Sequence, residues 1–371
     1  MQTPRFIISG GGTGGHIFPA LAIADCLKKR YPSADILFVG ADDRMEMERV
    51  PAAGYPIVGL PVSGFDRSGL LSNVRVLGRL FRSLREARRV VRDFRPHVVI
   101  GVGGYASGPT LYVASRQGVP ILIQEQNSYA GVTNRLLGNR AAAVCVAYEG
   151  MEKFFPADNI VLTGNPVRQG LALPAERRAE AAAFFGLNPK VKTLLVVGGS
   201  LGARTLNSSV VAGLQSLSAS GVQLIWQIGK YYRKEADSAL RDYAGAAVWR
   251  SDFIVRMDYA YAAADLVISR AGAGAISELC LLGKAAILVP SPNVAEDHQT
   301  KNATALVRKE AALLITDAEA PLRLIPTALT LIADDERLDR LRHRIATLAI
   351  PESVEKIADA ITNLLPPDQR R

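Results

Sequence analysis

Five glycines and a histidine stand together near the start of the chain, in the segment Ser9-Gly10-Gly11-Gly12-Thr13-Gly14-Gly15-His16. The apolar run 6–8 precedes this segment, and a helical pattern of apolar residues follows it from Ile17 to Leu27. Glycine lacks a Cβ, so a ligand can approach the backbone closely, and a helix start offers N–H groups and the positive end of a dipole. The segment therefore predicts a strand, a loop that accommodates phosphate or a developing anion, and a helix.

His16 is the side chain of this segment that could transfer a proton. It stands at the predicted helix start, where the dipole disfavours a charged imidazolium and keeps a neutral ring available as a base or donor. A capping or core-facing imidazole is the alternative. Because the chain has four histidines and this one borders the glycine loop, we favour the functional interpretation.

Polar side chains also follow other predicted strands. Gln124-Glu125-Gln126-Asn127 comes after an apolar run, and such amide and carboxylate groups bind sugar hydroxyls. Glu278 lies near the start of a predicted helix, where a carboxylate could accept hydrogen bonds from two ribose hydroxyls. Asp297 and His298 have no second cluster at ligand spacing, so we predict no metal site.

The elements that must position these residues alternate regularly. Short apolar runs are separated by amphipathic stretches, which predicts βαβ units and parallel sheets. The predicted strands are 5–9, 35–39, 56–60, 97–102, 120–124, 143–147, 160–163, 193–197, 224–228, 266–269, 285–289 and 312–315. The fold class is α/β, with two doubly wound, Rossmann-like domains.

The glycine turns divide the chain. A second turn, 198–203, opens a second series of strands, so we predict domains at 1–165 and 166–348, with a C-terminal helix in 349–371 that packs back on the first domain. Ligands of such sheets lie beyond the carboxyl ends of the strands. We therefore expect the two domains to face each other across a cleft that holds the active site.

A nicotinamide oxidoreductase is an alternative function. Gly10, Gly12 and Gly15 match the dinucleotide-binding spacing, and Asp42 follows the second predicted strand. The second glycine turn and a third glycine-containing strand end at 270–275 weaken this hypothesis, because one such turn usually suffices for a nicotinamide enzyme.

Composition limits the class of protein. The 371 residues are 49% hydrophobic and 21% charged, which is typical of globular chains and sufficient for two cores. The three cysteines are scattered, and we identify neither a signal peptide nor a membrane-spanning run, so we expect a reduced cytoplasmic protein.

The net charge of +9 is unevenly spread, and much of it lies in and just before one predicted helix, 72–95. Nine arginines lie between Arg67 and Arg95, against Glu86 and Asp93. Such a basic amphipathic surface suits anionic lipid headgroups, and a solvated arginine face is the alternative. No nucleic-acid-binding module is recognisable, so we do not expect a nucleic-acid partner.

Together these motifs resemble the MurG family of peptidoglycan N-acetylglucosaminyltransferases. The matching segments cover both predicted domains in family order. They are Gly11-Gly12-Thr13-Gly14-Gly15-His16-Ile17-Phe18-Pro19, Gly101-Val102-Gly103-Gly104-Tyr105-Ala106-Ser107-Gly108-Pro109, Glu125-Gln126-Asn127, Gly164-Asn165-Pro166-Val167-Arg168, Gly198-Gly199-Ser200-Leu201-Gly202-Ala203-Arg204 and Ser277-Glu278.

The resemblance implies a GT-B fold and a reaction. N-acetylglucosamine would pass with inversion from UDP-N-acetylglucosamine to the C4 hydroxyl of lipid I (undecaprenyl-pyrophosphoryl-MurNAc-pentapeptide), which gives lipid II and UDP. His16 would act as the base or orient the acceptor, and the glycine loop would face the acceptor's diphosphate. A related sugar-nucleotide enzyme, such as a glycolipid transferase or an epimerase, is the remaining alternative.

The resemblance also implies a donor site. Glu278 would hold the ribose hydroxyls, Ser200 the diphosphate and Gln299 the sugar hydroxyls. The full implied set for UDP-N-acetylglucosamine is Thr13, Gly14, Gly15, Asn127, Arg168, Ser200, Ile254 through its backbone, Ala273, Gly274, Ala275, Ile276, Ser277, Glu278 and Gln299. No cofactor is required, and a divalent cation is at most an aid.

The basic helix becomes a membrane-association patch in this family. The resemblance thereby implies a peripheral protein on the cytoplasmic face of the bacterial inner membrane, beside other cell-wall synthesis proteins. The patch consists of Leu70, Leu71, Arg75, Arg79, Leu80, Phe81, Arg82 and Arg85.

Two positions depart from the family pattern. His298 precedes Gln299 where two glutamines are common, and Gln124 stands where histidine is common.

Overall fold

The structure, a computed structural model, describes residues 3–62, 70–168, 170–199, 201–241 and 243–370, and the described side chains exclude those of 70–77 and 295. The chain divides into two compact units. Unit 1 comprises Met1–Val167 and Pro351–Arg371, and unit 2 comprises Arg168–Ile350. Both divisions fall two residues beyond the predicted boundaries.

Unit 1 contains a seven-stranded sheet in the order β3-β2-β1-β4-β5-β6-β7, in which neighbouring strands are parallel. Its strands are β1 (Arg5–Ser9), β2 (Asp35–Ala41), β3 (Ile57–Leu60), β4 (Val98–Gly101), β5 (Ile121–Glu125), β6 (Ala143–Val146) and β7 (Ile160–Leu162). Its helices are α1 (Gly14–Arg30), α2 (Glu46–Ala52), α3 (Leu70–Phe94), α4 (Ser107–Arg116), α5 (Val132–Gly138) and α15 (Ser353–Thr362).

The C-terminal helix α15 is part of the core of unit 1. Ile357, Ala358 and Ile361 are fully buried in the cluster that also contains Phe6 and Ile8 of β1. The helix packs along α1, with an ion pair from Arg30 Nη1 to Asp359 Oδ1 at 2.6 Å. Apolar residues at helical spacing account for this docking, because one face of α15 is buried throughout.

Unit 2 contains a six-stranded parallel sheet in the order β10-β9-β8-β11-β12-β13. Its strands are β8 (Thr193–Val197), β9 (Gln223–Gln227), β10 (Val248–Ser251), β11 (Leu266–Ser269), β12 (Ala286–Leu288) and β13 (Leu313–Leu314). Its helices are α6 (Arg178–Phe184), α7 (Arg204–Ala212), α8 (Leu214–Ser220), α9 (Arg233–Ala239), α10 (Met257–Ala263), α11 (Ala273–Leu281), α12 (His298–Val307), α13 (Ala320–Ile332) and α14 (Asp335–Ala346).

The predicted fold class is confirmed, since both sheets are parallel and covered by helices. The twelve predicted strands are present within one or two residues at their ends, but the sequence analysis missed β10. This strand lies at the edge of its sheet and is only partly buried, with Arg250 exposed. It therefore lacks the continuous apolar run by which the buried strands were recognised.

Each sheet has one place where the strand order reverses. In unit 1 this switch point lies between β1 and β4, and in unit 2 it lies between β8 and β11. The segments that follow these four strands contain glycine turns. Ligands of doubly wound sheets bind at such switch points, so the topology places the candidate sites there.

Candidate functional site

At the switch point of unit 1, the two glycine loops pack against each other by their backbones. Gly11 N donates to Gly103 O at 3.3 Å, and a Cβ on Gly104 would lie 2.4 Å from Gly11 O. Gly12, Gly103 and Gly104 also have φ values of +86°, +93° and +86°, which side chains rarely allow. The glycines are thus required both for their conformation and for this close approach.

His16 lies beside this contact, in the first turn of α1. Its Nδ1 is 3.0 Å from Gly11 O and 3.3 Å from Thr13 Oγ1. A carbonyl oxygen can only accept, so Nδ1 carries a hydrogen, and the neutral ring then has its lone pair on Nε2. The geometry suits a base that is oriented through Nδ1 and takes a proton at Nε2.

Glu46, at the start of α2, holds the glycine loop and was not predicted. Its side chain is 1% exposed, and its oxygens accept from Gly12 N at 3.0 and 3.1 Å and from Ala41 N at 3.0 Å. A dinucleotide's pyrophosphate would meet this carboxylate at Gly12, which disfavours the nicotinamide hypothesis. The first-turn amides of α1, at Gly14 and Gly15, are the backbone groups of this loop that suit an anion.

Glu125, at the end of β5, organises the loop that carries Asn127. Its Oε1 accepts from Asn127 N at 3.0 Å, and its Oε2 accepts from Gly131 N at 3.0 Å and Asn134 Nδ2 at 2.8 Å. Burial raises the pKa of the Glu125 carboxyl. This side chain is therefore a buried anchor, and Asn127 is the partly exposed group that it positions.

Gln124 belongs to a buried chain of amides. Gln124 Nε2 donates to Asn165 Oδ1 at 3.0 Å, Asn165 Nδ2 donates to Gln126 O at 3.0 Å, and Gln126 Nε2 donates to Val102 O at 2.7 Å. The chain ties β5 to the second glycine loop. Glutamine at this departure from the family pattern thus has a structural role.

At the switch point of unit 2, a glycine turn leads from β8 into α7. Gly199 and Gly202 have φ values of +88° and +80°, and a Cβ on Gly202 would lie 2.3 Å from Ile228 O. The residue before α7 is Ala203, which has no side-chain acceptor for the first-turn N–H groups. These groups suit an anion. The predicted diphosphate residue Ser200 lies outside the described residues.

Glu278, in α11, accepts hydrogen bonds from two protein side chains. Arg168 Nε lies 3.0 Å from Oε1, Arg168 Nη2 lies 3.3 Å from Oε2, and Tyr261 Oη donates to Oε2 at 2.9 Å. Burial disfavours a charged guanidinium, but the bonds to Glu278 outweigh this and raise the pKa of Arg168. Burial raises the pKa of Tyr261 well above its ordinary value, so the hydroxyl is a donor. The resemblance did not indicate Tyr261.

Other predicted donor residues of unit 2 also lie at the carboxyl edge of its sheet. Ile254 is buried, and its N–H donates to Gln227 Oε1 at 3.3 Å, which leaves its carbonyl as the backbone group for a ligand. Gln299 Oε1 accepts from Ser291 N at 2.9 Å, so its Nε2 is its donor. Residues 273–277 form the first turns of α11, where Ser277 Oγ donates to Ala273 O.

The predicted membrane patch lies on α3. Its described side chains, at Arg79, Leu80, Phe81, Arg82 and Arg85, are all exposed, with Phe81 at 71%. The side chains of Leu70, Leu71 and Arg75 lie outside the described residues.

Within the described part of the chain, no helix is both long and apolar enough to cross a bilayer. The same described ranges contain no group of three His, Cys, Asp or Glu side chains that could hold a metal ion.

Comparisons with known proteins identify the family. The N-terminal domain model of glycosyltransferase family 28 matches residues 6–146, and the C-terminal domain model of the same family matches residues 193–361. The two models together span most of both units.

Named relatives match along the whole chain. A protein of Parabacteroides distasonis is 64% identical over 98% of this chain and 99% of its own, and one of Porphyromonas gingivalis strain W83 is 57% identical over 99% and 97%. Both are named UDP-N-acetylglucosamine–N-acetylmuramyl-(pentapeptide) pyrophosphoryl-undecaprenol N-acetylglucosamine transferase.

Solved structures support the fold. The crystal structure of Acinetobacter baumannii MurG is 28% identical, with a TM-score of 0.81, and covers 97% of this chain and 99% of its own. A UDP-GlcNAc 2-epimerase from Neisseria meningitidis covers 98% of this chain and 100% of its own with a TM-score of 0.66, but at 14% identity it shows the fold alone.

Proposed function

The chain belongs to glycosyltransferase family 28 and, within it, to the MurG family, and we propose that it transfers N-acetylglucosamine from UDP-N-acetylglucosamine to lipid I. The products are lipid II and UDP, in peptidoglycan synthesis. The observation that carries this function is the 57–64% identity to transferases of that name over at least 97% of the chain. The same observation displaces the oxidoreductase hypothesis.

His16 is the proposed base. The C4 hydroxyl of the muramoyl sugar attacks the anomeric carbon with inversion, and its proton passes to Nε2 of His16. The contact between Nδ1 and Gly11 O supports this role, because it fixes the tautomer and the ring orientation before the reaction. The first-turn amides of α1 would bind the acceptor's diphosphate.

Glu278 is the proposed ribose-binding group. Its Oε2 already accepts from Arg168 and Tyr261, whereas Oε1 accepts from Arg168 alone among the hydrogen bonds of the described side chains. A carboxylate oxygen has two lone pairs. A ribose hydroxyl would therefore bind at Oε1, or would displace the half-exposed Arg168, which could then pair with a phosphate.

The remaining donor groups would bind the base, the diphosphate and the sugar. The Ile254 carbonyl would accept from the N–H of uracil, and Gln299 would bind the sugar hydroxyls. Ser200 and the first-turn amides of α7 would stabilise the charge that develops on UDP as it leaves. These groups need no metal for that step, and a divalent cation would only assist it.

The residues of unit 1 implied in donor binding are proposed on the resemblance. Thr13, Gly14 and Gly15 stand at the start of α1, and Asn127 stands in the loop anchored by Glu125. Small residues and an amide at these positions suit contact with a sugar or a phosphate.

The patch on α3 is proposed to bind the anionic surface of the cytoplasmic leaflet. Exposed arginines attract anionic headgroups, and an exposed phenylalanine can enter the interface. The protein would then act peripherally, where its lipid-linked acceptor lies, beside other cell-wall enzymes.

The test is transfer of labelled N-acetylglucosamine to a lipid I analogue, with release of UDP. We expect label in the disaccharide product and UDP release that depends on the acceptor. An epimerase would instead convert UDP-N-acetylglucosamine without an acceptor. Folded protein that releases no UDP with the lipid I analogue would refute the proposal.

A further inference from the structure

Gln227, the last residue of β9, connects two segments of the proposed donor site. Its side chain is 3% exposed, its Nε2 donates to Gly199 O at 2.7 Å, and its Oε1 accepts from Ile254 N at 3.3 Å. The orientation of the amide is unambiguous, because a carbonyl can only accept and a backbone N–H can only donate. A glutamine meets both requirements at once.

The first contact fixes the glycine turn. Gly199 O also accepts from Gly202 N at 3.0 Å, so both lone pairs of this carbonyl are used. Gly199 has a φ of +88°, a conformation that glycine alone adopts readily. The bond from Gln227 therefore fixes the direction of a carbonyl at a position where no Cβ restricts the backbone.

The second contact fixes the segment between β10 and α10. Phe253 and Val255 are exposed, at 50% and 81%, while the Ile254 side chain between them is buried. Gln227 joins the Ile254 N–H to β9. This bond fixes the peptide unit that precedes Ile254, the residue whose carbonyl is the proposed uracil contact.

We infer that Gln227 is a positioning residue that sets the spacing between the diphosphate turn and the base-binding segment. UDP presents its base and its diphosphate at a distance limited by the ribose, so two segments held at the matching distance bind both ends at little entropic cost. The inference rests on the proposed function, because it takes UDP-N-acetylglucosamine as the donor.

The same strand offers a matched control. Gln223 is also 3% exposed and lies four residues earlier, at the opposite end of β9. Its Oε1 accepts from Asn188 N at 2.8 Å and its Nε2 donates to Asn188 O at 2.9 Å. Gln223 thus makes the same kind of amide bridge, but at the end of the sheet away from the switch-point turns.

The experiment compares Q227L, Q227E and Q223L. For Q227L we expect the Kd of UDP and the KM of the donor to rise about tenfold or more, with kcat and the KM of the acceptor within about threefold of wild type. Q227E can still accept from Ile254 N, and as an ionised carboxylate it cannot donate to Gly199 O. Q227E should therefore weaken the binding of UDP and keep the Kd of uridine within about twofold of wild type. Because burial favours the protonated acid, binding is measured up to pH 9. Q223L should change thermal stability only.

Wild-type donor KM and UDP affinity in folded Q227L or Q227E would overturn the inference, and so would an equal rise of donor KM in Q223L. If Q227L does not fold, Q227E alone decides. Its ratio of UDP affinity to uridine affinity should fall below that of wild type, and an unchanged ratio would contradict the inference. Failure of the proposed function gives a different result, because it is seen in the wild-type protein: wild type would then bind no UDP, or would bind UDP without transferring N-acetylglucosamine to the lipid I analogue.

Discussion

Arg168 and Glu278 form a two-bond ion pair within unit 2, although 110 positions separate them in the chain. The Glu278 side chain is 10% exposed, whereas that of Arg168 is 51% exposed. The carboxylate is therefore the fixed partner, and its Oε2 also accepts from Tyr261. Arg168 is the more exposed partner, and we expect it to be the one that moves when a ligand binds.

Replacing Glu278 should weaken donor binding through the ribose. E278Q replaces the carboxylate, which accepts from the ribose hydroxyls, with a neutral amide. A hydrogen bond to a charged group is worth roughly 1.5–3 kcal/mol, so we expect the Kd of UDP to rise about tenfold or more. Calorimetric titration with UDP and with 2′,3′-dideoxy-UDP measures this. The dideoxy ligand should bind both proteins equally, and E235Q, at an exposed glutamate of the same unit, is the control. An equal loss for both ligands would contradict the ribose assignment.

Replacing His16 should slow turnover without changing donor affinity. H16A should lower kcat by roughly 10²–10⁴, the usual contribution of a general base, while the Kd of UDP stays within about twofold. H16N can still donate to Gly11 O but lacks Nε2, so it should be as slow as H16A with better retained stability. Steady-state kinetics with a lipid I analogue measures this, with H343A at an exposed histidine as control. Wild-type turnover in H16N would exclude Nε2 as the base.

Replacing Glu46 should disturb the glycine loop. E46A leaves the N–H groups of Gly12 and Ala41 without their acceptor, so we expect a loss of roughly 1–3 kcal/mol in the free energy of unfolding and a fall in kcat. UDP affinity should not change, because the proposed contacts to uracil, ribose and the diphosphate of UDP belong to unit 2. Chemical denaturation and UDP titration test this against E48A, an exposed glutamate of the same helix. Full stability in E46A would contradict the anchoring role.

Charge reversal on α3 should release the protein from anionic vesicles. R79E/R82E/R85E removes three exposed cations, each worth about 1 kcal/mol near an anionic surface, so vesicle binding should fall at least tenfold. Activity on a water-soluble acceptor should be unchanged. The matched control reverses three exposed arginines of unit 2, R323E/R340E/R344E, in the same cosedimentation assay. Equal binding by both triple variants and wild type would favour a merely solvated arginine face.

Lys284 should make stability depend on pH in the alkaline range. Burial, with added repulsion from Arg342 and Arg178, lowers the pKa of Lys284 to about 8 from its ordinary 10.5. Between these values the unfolded chain binds more protons at this group than the folded chain does. Its contribution to the free energy of unfolding therefore rises with pH, by at most about 1.4 kcal/mol per pH unit, and levels off below about pH 7.

Denaturation of wild type and K284M at pH 7, 8, 9 and 10 isolates this contribution. The difference between the two proteins should shift in favour of wild type above pH 8, because other groups titrate alike in both. A difference that stays flat from pH 7 to 10 would show that Lys284 is not held in a charge-disfavouring site.

Local patterns predicted most of the fold. A buried strand is a short apolar run and a helix an amphipathic stretch, and both signals lie within a few neighbouring residues. The edge strand β10 escaped because partial burial does not require such a run. Among the site residues, the glycine loops and His16 were recognisable from composition and spacing, whereas Arg168, Ile254 and Gln299 came from the family resemblance alone.

The sequence by itself thus determined the two doubly wound domains, the glycine turns and the candidate base. Only the tertiary structure decided what holds them: Glu46 lies 34 positions from Gly12, Gln227 lies 28 positions from Gly199, and Tyr261 lies 17 positions from Glu278. A buried glutamate, glutamine or tyrosine has no local signal, because its partner is fixed by strand order and not by spacing along the chain. Long-range hydrogen bonds satisfy buried polar groups only after the sheets have formed, and these bonds set the site's geometry.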